Sequence, residues 1–300
     1  MTHGDQGQTE RVDFPEDAGL VAVLTPFGVR ADALLGHGGE AWVYALDDDR
    51  VIRVLHDGGR ADDVHRRQCL TDELARSSPV FALPEVVEVG DVDGRVFAIE
   101  RRLPGRSVMD ELRHIEGAAR ARLIETHLDA AAALGDLHLE PRDGFGDLIV
   151  DDAIVASTWH AYLEQRATTN LARSMPELRA IDGIELANAL PDTTAADFVH
   201  LDAFAANMLT DGTRITAVLD IGPTSVVGDR RLDPLGAVVY LAAPDISPVA
   251  TPADIDVAMG WLRAAGLHEW FEPAQAWLAA FWSFAVDDPT VMRWCRAVLL

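Results

Sequence analysis

No stretch of the sequence approaches the roughly 18 unbroken apolar residues that a membrane-spanning helix needs, although 49% of its 300 residues are hydrophobic. The apolar residues are scattered Ala, Val and Leu, enough to bury a core but not to span a bilayer, so no membrane partner is expected. The N-terminal run MTHGDQGQTERVDFPEDAG has neither the basic start nor the apolar centre of a secretory signal, and a cytoplasmic protein is expected. Cysteine is scarce: Cys69 and Cys295 stand far apart, with no CxxC pair or His/Cys cluster beside them. Neither a disulfide framework nor a zinc site is suggested. Positive charge is also scarce, with 25 basic against 49 acidic residues and a formal charge of −24. Such a chain repels nucleic acid and attracts cationic ligands, although a high acid content is equally the mark of a well-solvated surface.

There is no internal repeat and no low-complexity tract. About twenty N-terminal residues read as a loose lead-in. From Val21 to Leu103 the pattern is strand-like and punctuated by glycine: LLGHGGEAWVYAL, VIRVLH, VVEVGDV and RVFAIERRL, with turns signalled at Asp47-Asp48-Asp49 and Asp93-Gly94. One helix, Ala61 to Arg76, is expected between the Gly58-Gly59 break and Ser77-Ser78-Pro79. After Pro104-Gly105 the texture turns helical, with segments expected at Ser107 to His114, Ala118 to His138 and Ser157 to Leu178. A β-rich interval from Phe198 to Leu219 follows, and helices return from about Pro252 to Leu300.

The chemically informative stretch is FVHLDAFAANMLTDGTRITAVLDIG. It holds His200-Leu201-Asp202, then Asn207 five residues after that aspartate, a turn at Asp211-Gly212, and a β-prone run leading into Asp220-Ile221-Gly222. Phosphoryl transfer asks for a base that orients a hydroxyl, hard oxygen ligands for magnesium, and cations on the phosphates. This segment carries the first two kinds of group. Aspartate beside glycine is also an ordinary turn former, and for Asp211 that reading suffices. Asp220 follows an apolar run that would set its carboxylate at a strand end, and His200 reads as a hydrogen-bonding support of the loop rather than a base.

These residues resemble the catalytic and metal-binding loops of the aminoglycoside phosphotransferase family, a branch of the protein-kinase-like fold. The family's usual run is HGDxxxxN, then a DxG, then GDPxxD. Here the pieces stand in the same order as His200-Leu201-Asp202 to Asn207, Asp220-Ile221-Gly222, and Gly228-Asp229-Arg230-Arg231-Leu232-Asp233. The resemblance implies an α+β, two-lobed fold: a lead-in over 1–20, a β-rich nucleotide-binding N-lobe with one helix over 21–103, and a mainly helical C-lobe over 104–300. It implies ATP (or GTP) and Mg2+ as cofactors, Asp202 as the catalytic base, Asn207 and Asp220 as metal ligands, and Asp229 and Asp233 with His200 as supports of the catalytic loop. Gly36, Gly38 and Gly39 would form the phosphate-approaching turn, and Arg53 the phosphate-contacting cation. Arginine in place of the lysine of the best-known kinases is bulkier but keeps a forked charge. Glu73 is the expected partner of Arg53, with Asp72 and Gln68 near enough to leave the register open. Glu100, Arg101, Arg102 and Leu103 mark the adenine-facing hinge.

The activity this implies is phosphorylation of a hydroxyl on a small molecule, an antibiotic being the leading case, by a monomer or homodimer. A metabolite kinase acting on a choline-like, sugar or amino-alcohol substrate, and a nucleotide-binding pseudokinase, are the alternatives. For a cationic substrate the candidate carboxylates are Asp151, Asp152, Glu164, Glu269 and Glu272. For an apolar one, Trp159 or Trp270 would supply a wall, although core packing explains most of the tryptophans of the second lobe.

Overall fold

The computed structural model describes Pro15 and residues 17–300; most of the expected lead-in lies outside the described residues. Helix α1 (Ala18–Leu24) starts inside that expected lead-in because Asp17 caps it, its carboxylate accepting the Leu20 N–H at 2.9 Å. The chain divides into two compact units. The first runs as far as Gln68 and resumes over Glu85–Arg102; the second takes Cys69–Pro84 and Leu103–Leu300. The helix that the sequence assigned wholly to the first lobe is therefore divided between them.

In the first unit, strands β1 (Leu34–His37), β2 (Ala41–Ala45) and β3 (Arg50–Leu55) precede helix α2 (Ala61–Ala75), and β4 (Val86–Val92) and β5 (Arg95–Arg101) follow it. They form one antiparallel sheet in the order β1-β2-β3-β5-β4. Alternation along β3 divides its side chains between the two faces of the sheet. Ile52 and Val54 join Leu20, Leu24, Tyr44, Phe97 and Ile99 in one apolar cluster, while Leu55 joins Val64 of α2, Val96 and Ala98 in another. Arg53 sits at the centre of the strand, opposite Val43 and Ala98.

The second unit opens with β6 (Arg106–Ser107), α3 (Val108–Glu111) and α4 (Gly117–Ala133). A hairpin of β7 (Phe145–Asp147) and β8 (Val155–Ala156) follows, then α5 (Trp159–Arg173) and α6 (Gly183–Asn188). Next come β9 (Asp197–Val199), β10 (Met208–Thr210), β11 (Ile215–Val218) and β12 (Val226–Gly228). Helices α7 (Leu232–Ala242), α8 (Pro252–Ala264), α9 (Phe271–Trp282) and α10 (Pro289–Leu299) complete it. The strands form two small sheets, β11-β10-β6 and β8-β7-β12-β9.

The caps explain where several of these helices begin. Thr158 accepts from Ala161 N–H, Asp288 from Thr290 and Val291, and Thr251 forms a reciprocal capping box with Asp254 ahead of α8, which carries Pro252 in its first turn. Asp254 also holds Arg120 of α4 at 2.7 Å, joining α4 to α8. Helix α7 is buried from Leu232 to Leu241 and packs against α4, α8 and α9. Among the described residues no helix is long and apolar enough to cross a membrane.

Candidate active site

The loop between β9 and β10 is held by its backbone, chiefly from one residue. Asp233, in the first turn of α7 and only 1% exposed, accepts the His200 N–H at 2.9 Å and the Leu201 N–H at 2.9 Å. Burial raises its carboxyl to about 7 against the pull of those two donors. His200 is buried beneath the loop. Its Nε2–H donates to the Leu219 carbonyl at 2.9 Å and its Nδ1 accepts the Asp202 N–H at 3.2 Å. Burial also lowers its pKa, so it works as a neutral strut between the loop and the end of β11. A second buried histidine, His127 of α4, donates from Nε2 to the Ala203 carbonyl at 3.1 Å, and burial pushes it down to about 4.

Leu201 lies between the two key side chains with φ of +62°, in the left-handed region. The family's usual run has glycine there. For leucine this conformation costs roughly 1–2 kcal/mol, which full burial of its side chain, worth about 2 kcal/mol, offsets. Its carbonyl accepts the Tyr240 O–H at 2.7 Å. Tyr240, from α7, was not singled out in the sequence, because an isolated tyrosine in an apolar helix carries no signal.

The Asn207 amide donates from Nδ2 to Asp202 Oδ2 at 2.8 Å and to the Asp202 carbonyl at 3.0 Å. Both donors are thus spent on Asp202, which fixes that carboxylate and leaves Asn207 Oδ1 as the oxygen to meet a cation. The Leu219 N–H donates to the Asn207 carbonyl at 2.7 Å, so the residue before Asp220 is tied to the same loop. Asp220 itself has φ of +54°, which a short polar residue tolerates. No group of three or more His, Cys, Asp or Glu side chains is placed to cage a metal among the described residues. One carboxylate and one amide oxygen instead suit magnesium, which keeps water and phosphate in most of its octahedral positions.

In the first unit, β1 and β2 meet at the Gly38-Gly39 turn, and His56 holds the Gly38 carbonyl from Nε2 at 2.8 Å. An added Cβ at Gly36, Gly38 or Gly39 would meet nothing within 4 Å, so the chain's own packing does not require these glycines. Arg53 lies 3.6 Å from Glu40, which follows the turn, and Arg67 of α2 lies 2.7 Å from the same carboxylate. Sequence reasoning missed Glu40 and Arg67. The sequence contains no lysine at all, so arginine at position 53 follows the composition of the whole chain. The Arg53–Glu73 pair read from the sequence is corrected. Glu73 binds the Arg142 guanidinium at 2.6 Å and the Glu140 N–H at 2.5 Å, because it lies past the point where α2 passes to the second unit. In the hinge stretch, Arg101 pairs with Glu85 at 2.6 Å and the Arg102 N–H donates to the Asp49 carbonyl. Glu100 pairs opposite Val51, one residue before β5 ends at Arg101, and Leu103 begins the second unit's segment.

Two further readings change. Asp229, expected to support the loop, binds Arg231 at 2.5 Å through a guanidinium only two residues away; the support comes from Asp233 alone of the two. Trp159 is 1% exposed, stacked on Tyr162 at 5.4 Å and seated on Gly228, where a Cβ would lie 2.4 Å from its ring; it is core and not a substrate wall. Trp270 is half-buried at the start of α9, beside the exposed Glu269 and Glu272. Asp151 and Asp152 are exposed in the β7–β8 turn, and Glu164 is half-buried on α5, so the five carboxylates are spread over separate elements.

Comparison with solved structures returns aminoglycoside phosphotransferases. The GDP complex of aminoglycoside 2'-phosphotransferase-IIIa superposes with a TM-score of 0.62 at 13% identity, over 94% of this chain and 97% of that one. The gentamicin complex of APH(2'')-IIa gives 0.60 at 16%, over 96% and 97%. The ADP and streptomycin complex of APH(3'')-Id from Streptomyces rimosus gives 0.52 at 16%, over 86% and 96%. At such identities these likenesses establish the kinase-like fold. No curated protein matches the sequence. The model of the phosphotransferase enzyme family matches residues 33–250, a span that contains the glycine turn, Arg53 and the whole Asp202–Asn207–Asp220 loop system, and the chain therefore belongs to that family as a phosphotransferase with a hydroxyl acceptor.

Proposed function

We propose that the chain transfers the γ-phosphoryl group of ATP or GTP to a hydroxyl of an amine-bearing, aminoglycoside-like natural product, and so confers resistance to it. The observation that carries this reading is the pair of hydrogen bonds from Asn207 Nδ2 to the Asp202 carboxylate and carbonyl, which fixes the expected base beside the expected metal ligand. Asp202 accepts the hydroxyl proton as the oxygen attacks phosphorus, so charge never builds on a free alkoxide. Asn207 Oδ1 and Asp220 would hold magnesium, which when bound neutralises charge on the phosphates. Arg53 and the amides of the glycine turn serve the same charge from the first unit. His200 and Asp233, neither of which faces substrate, keep the loop in register.

The preference for a cationic acceptor rests on the chain's acidity and on the aminoglycosides bound by proteins of like fold. The test is nucleotide consumption with ATP and with GTP across aminoglycosides, macrolides, other hydroxylated natural products and primary metabolites. The expected result is turnover with at least one amine-bearing antibiotic and a Michaelis constant that rises steeply between low and high salt. Turnover confined to primary metabolites would make the chain a metabolite kinase. A salt-insensitive constant would remove the cationic substrate.

A further inference from the structure

We infer that Tyr240 is a positioning residue whose hydroxyl latches Leu201 in its left-handed conformation and thereby aims Asp202. This rests on the assignment of Asp202 above, and nothing in the family match or the solved relatives' names assigns Tyr240 a role.

Leu201 is the one residue through which the chain passes from the buried His200 to Asp202. Its backbone is pinned on both sides, the N–H by Asp233 and the carbonyl by Tyr240. Among the described residues, four of positive φ are not glycine, and Leu201 is the only one of them with a branched apolar side chain. Serine and aspartate at the others bring a short polar side chain that this region tolerates. A leucine released from its restraints relaxes toward the extended region, roughly tenfold favoured over the left-handed one, and that rotation swings the next residue away from Asn207. Burial of the Leu201 side chain and the Asp233 bond are two restraints, and the Tyr240 bond is the third.

Tyr240 is built for such a latch. Its hydroxyl donates to Leu201 and accepts the Trp282 Nε1–H at 2.8 Å, so donor and acceptor are both committed. Its ring stands edge-on to Phe204 at 6.2 Å and to Trp294 at 5.9 Å, which denies it other rotamers. Burial, then the neighbouring Asp202 charge, raises its pKa well above the ordinary tyrosine value, so the donor is retained at every working pH.

The inference makes Tyr240 and Leu201 interdependent, because glycine at 201 adopts the same conformation without restraint. The experiment is a double-mutant cycle on the full chain with Tyr240→Phe, Leu201→Gly and the double variant. Hydrogen–deuterium exchange is read over the 199–208 peptides without nucleotide, and turnover is read with magnesium-ATP and water as acceptor. With leucine at 201, Tyr240→Phe should speed exchange at the 201 and 202 amides about fivefold, the worth of one hydrogen bond, and lower turnover by a similar factor at unchanged KM for ATP. With glycine at 201, the same change should alter both by less than twofold. Trp282→Phe, which frees the Tyr240 hydroxyl from its second partner, should loosen the same amides by a smaller factor, and it supplies the measurement if Tyr240→Phe does not fold. Equal loosening in the two backgrounds, or none in either, would overturn the latch. Loosening as expected with turnover untouched would leave the latch standing and sink the assignment of Asp202 on which its catalytic meaning depends.

Discussion

His127 contributes a loss of stability in acid that the structure makes measurable. Its ring is 1% exposed, it is held neutral by burial at a pKa of about 4, and it donates to the carbonyl next to Asp202. The unfolded chain leaves the same imidazole near 6.5. Above pH 6.5 neither state binds the proton and the group is silent. As pH falls from 6.5 the unfolded state takes up a proton that the folded state refuses, so stability is lost until the folded ring also titrates near 4. A gap of about 2.5 units at 1.36 kcal/mol per unit gives a loss of about 3 kcal/mol over that window. His200, buried and shifted in the same direction, adds to it, whereas Asp233, raised to about 7, acts with the opposite sign over the same window and is common to parent and variant. The assay is chemical denaturation at half-unit steps between pH 4 and 8, comparing the chain with His127→Gln, whose amide N–H is able to reach the same carbonyl. The variant should lose about 3 kcal/mol less than the parent between pH 6.5 and 4. Parallel stability curves would refute the reasoning, since they would mean that the histidine is protonated in the fold or is not a source of the acid loss.

The remaining predictions follow from the site. Asp202→Asn should lower turnover of the acceptor found by the screen by 10²–10⁴-fold while leaving nucleotide affinity nearly unchanged, as read by steady-state kinetics beside calorimetry; near-normal turnover would remove Asp202 from the chemistry. Asp220→Ala should abolish the magnesium-dependent part of ATP affinity in paired titrations with and without the metal, and a persisting dependence would make Asp220 a turn residue only. Arg53→Ala should weaken nucleotide binding, with Arg53→Lys retaining a substantial part of it. Equal losses in both would mean that the guanidinium geometry, including its approach to Glu40, is what matters.

The fold was legible in the sequence wherever an element leaves a local pattern. Each strand of the first unit fell within a segment read as strand-like, because alternation and turn residues leave a local trace there: Asp93-Gly94 turns β4 into β5, with Asp93 itself at φ +53°. Helices with one solvated face, such as α4 and α5, were placed within a few residues, their expected C-terminal ends turning out to be separate turns of tighter helix at Leu134–Asp136 and Pro176–Leu178. Helix α7 escaped because it is buried on all sides. A uniformly apolar run has no 3.6-residue period, and Pro234 and Gly236 inside it look like breakers. Helix α6, six residues between loops, is too short to show a period at all.

The same contrast runs through the site. Asp202, Asn207 and Asp220 stand out as candidates in the sequence because the proposed metal and proton chemistry would restrict the residue type and the loop fixes the spacing. What holds them does not, since a backbone N–H or carbonyl accepts support from any residue that reaches it. Asp233 binds the loop across 32 positions, Tyr240 across 39 and His127 across 76. Partners at such separations leave no mark in a local pattern. Glu73 shows the converse error, a correct residue type in a helix at the expected place, claimed for Arg53 and taken instead by Arg142. Arg142 stands 69 positions from Glu73, again beyond any local pattern. Chemistry therefore predicts which residue must be present at a reacting atom, whereas the identity of its supports is set by topology. That is why the test of Tyr240 is posed as an interaction between two residues rather than as the loss of one.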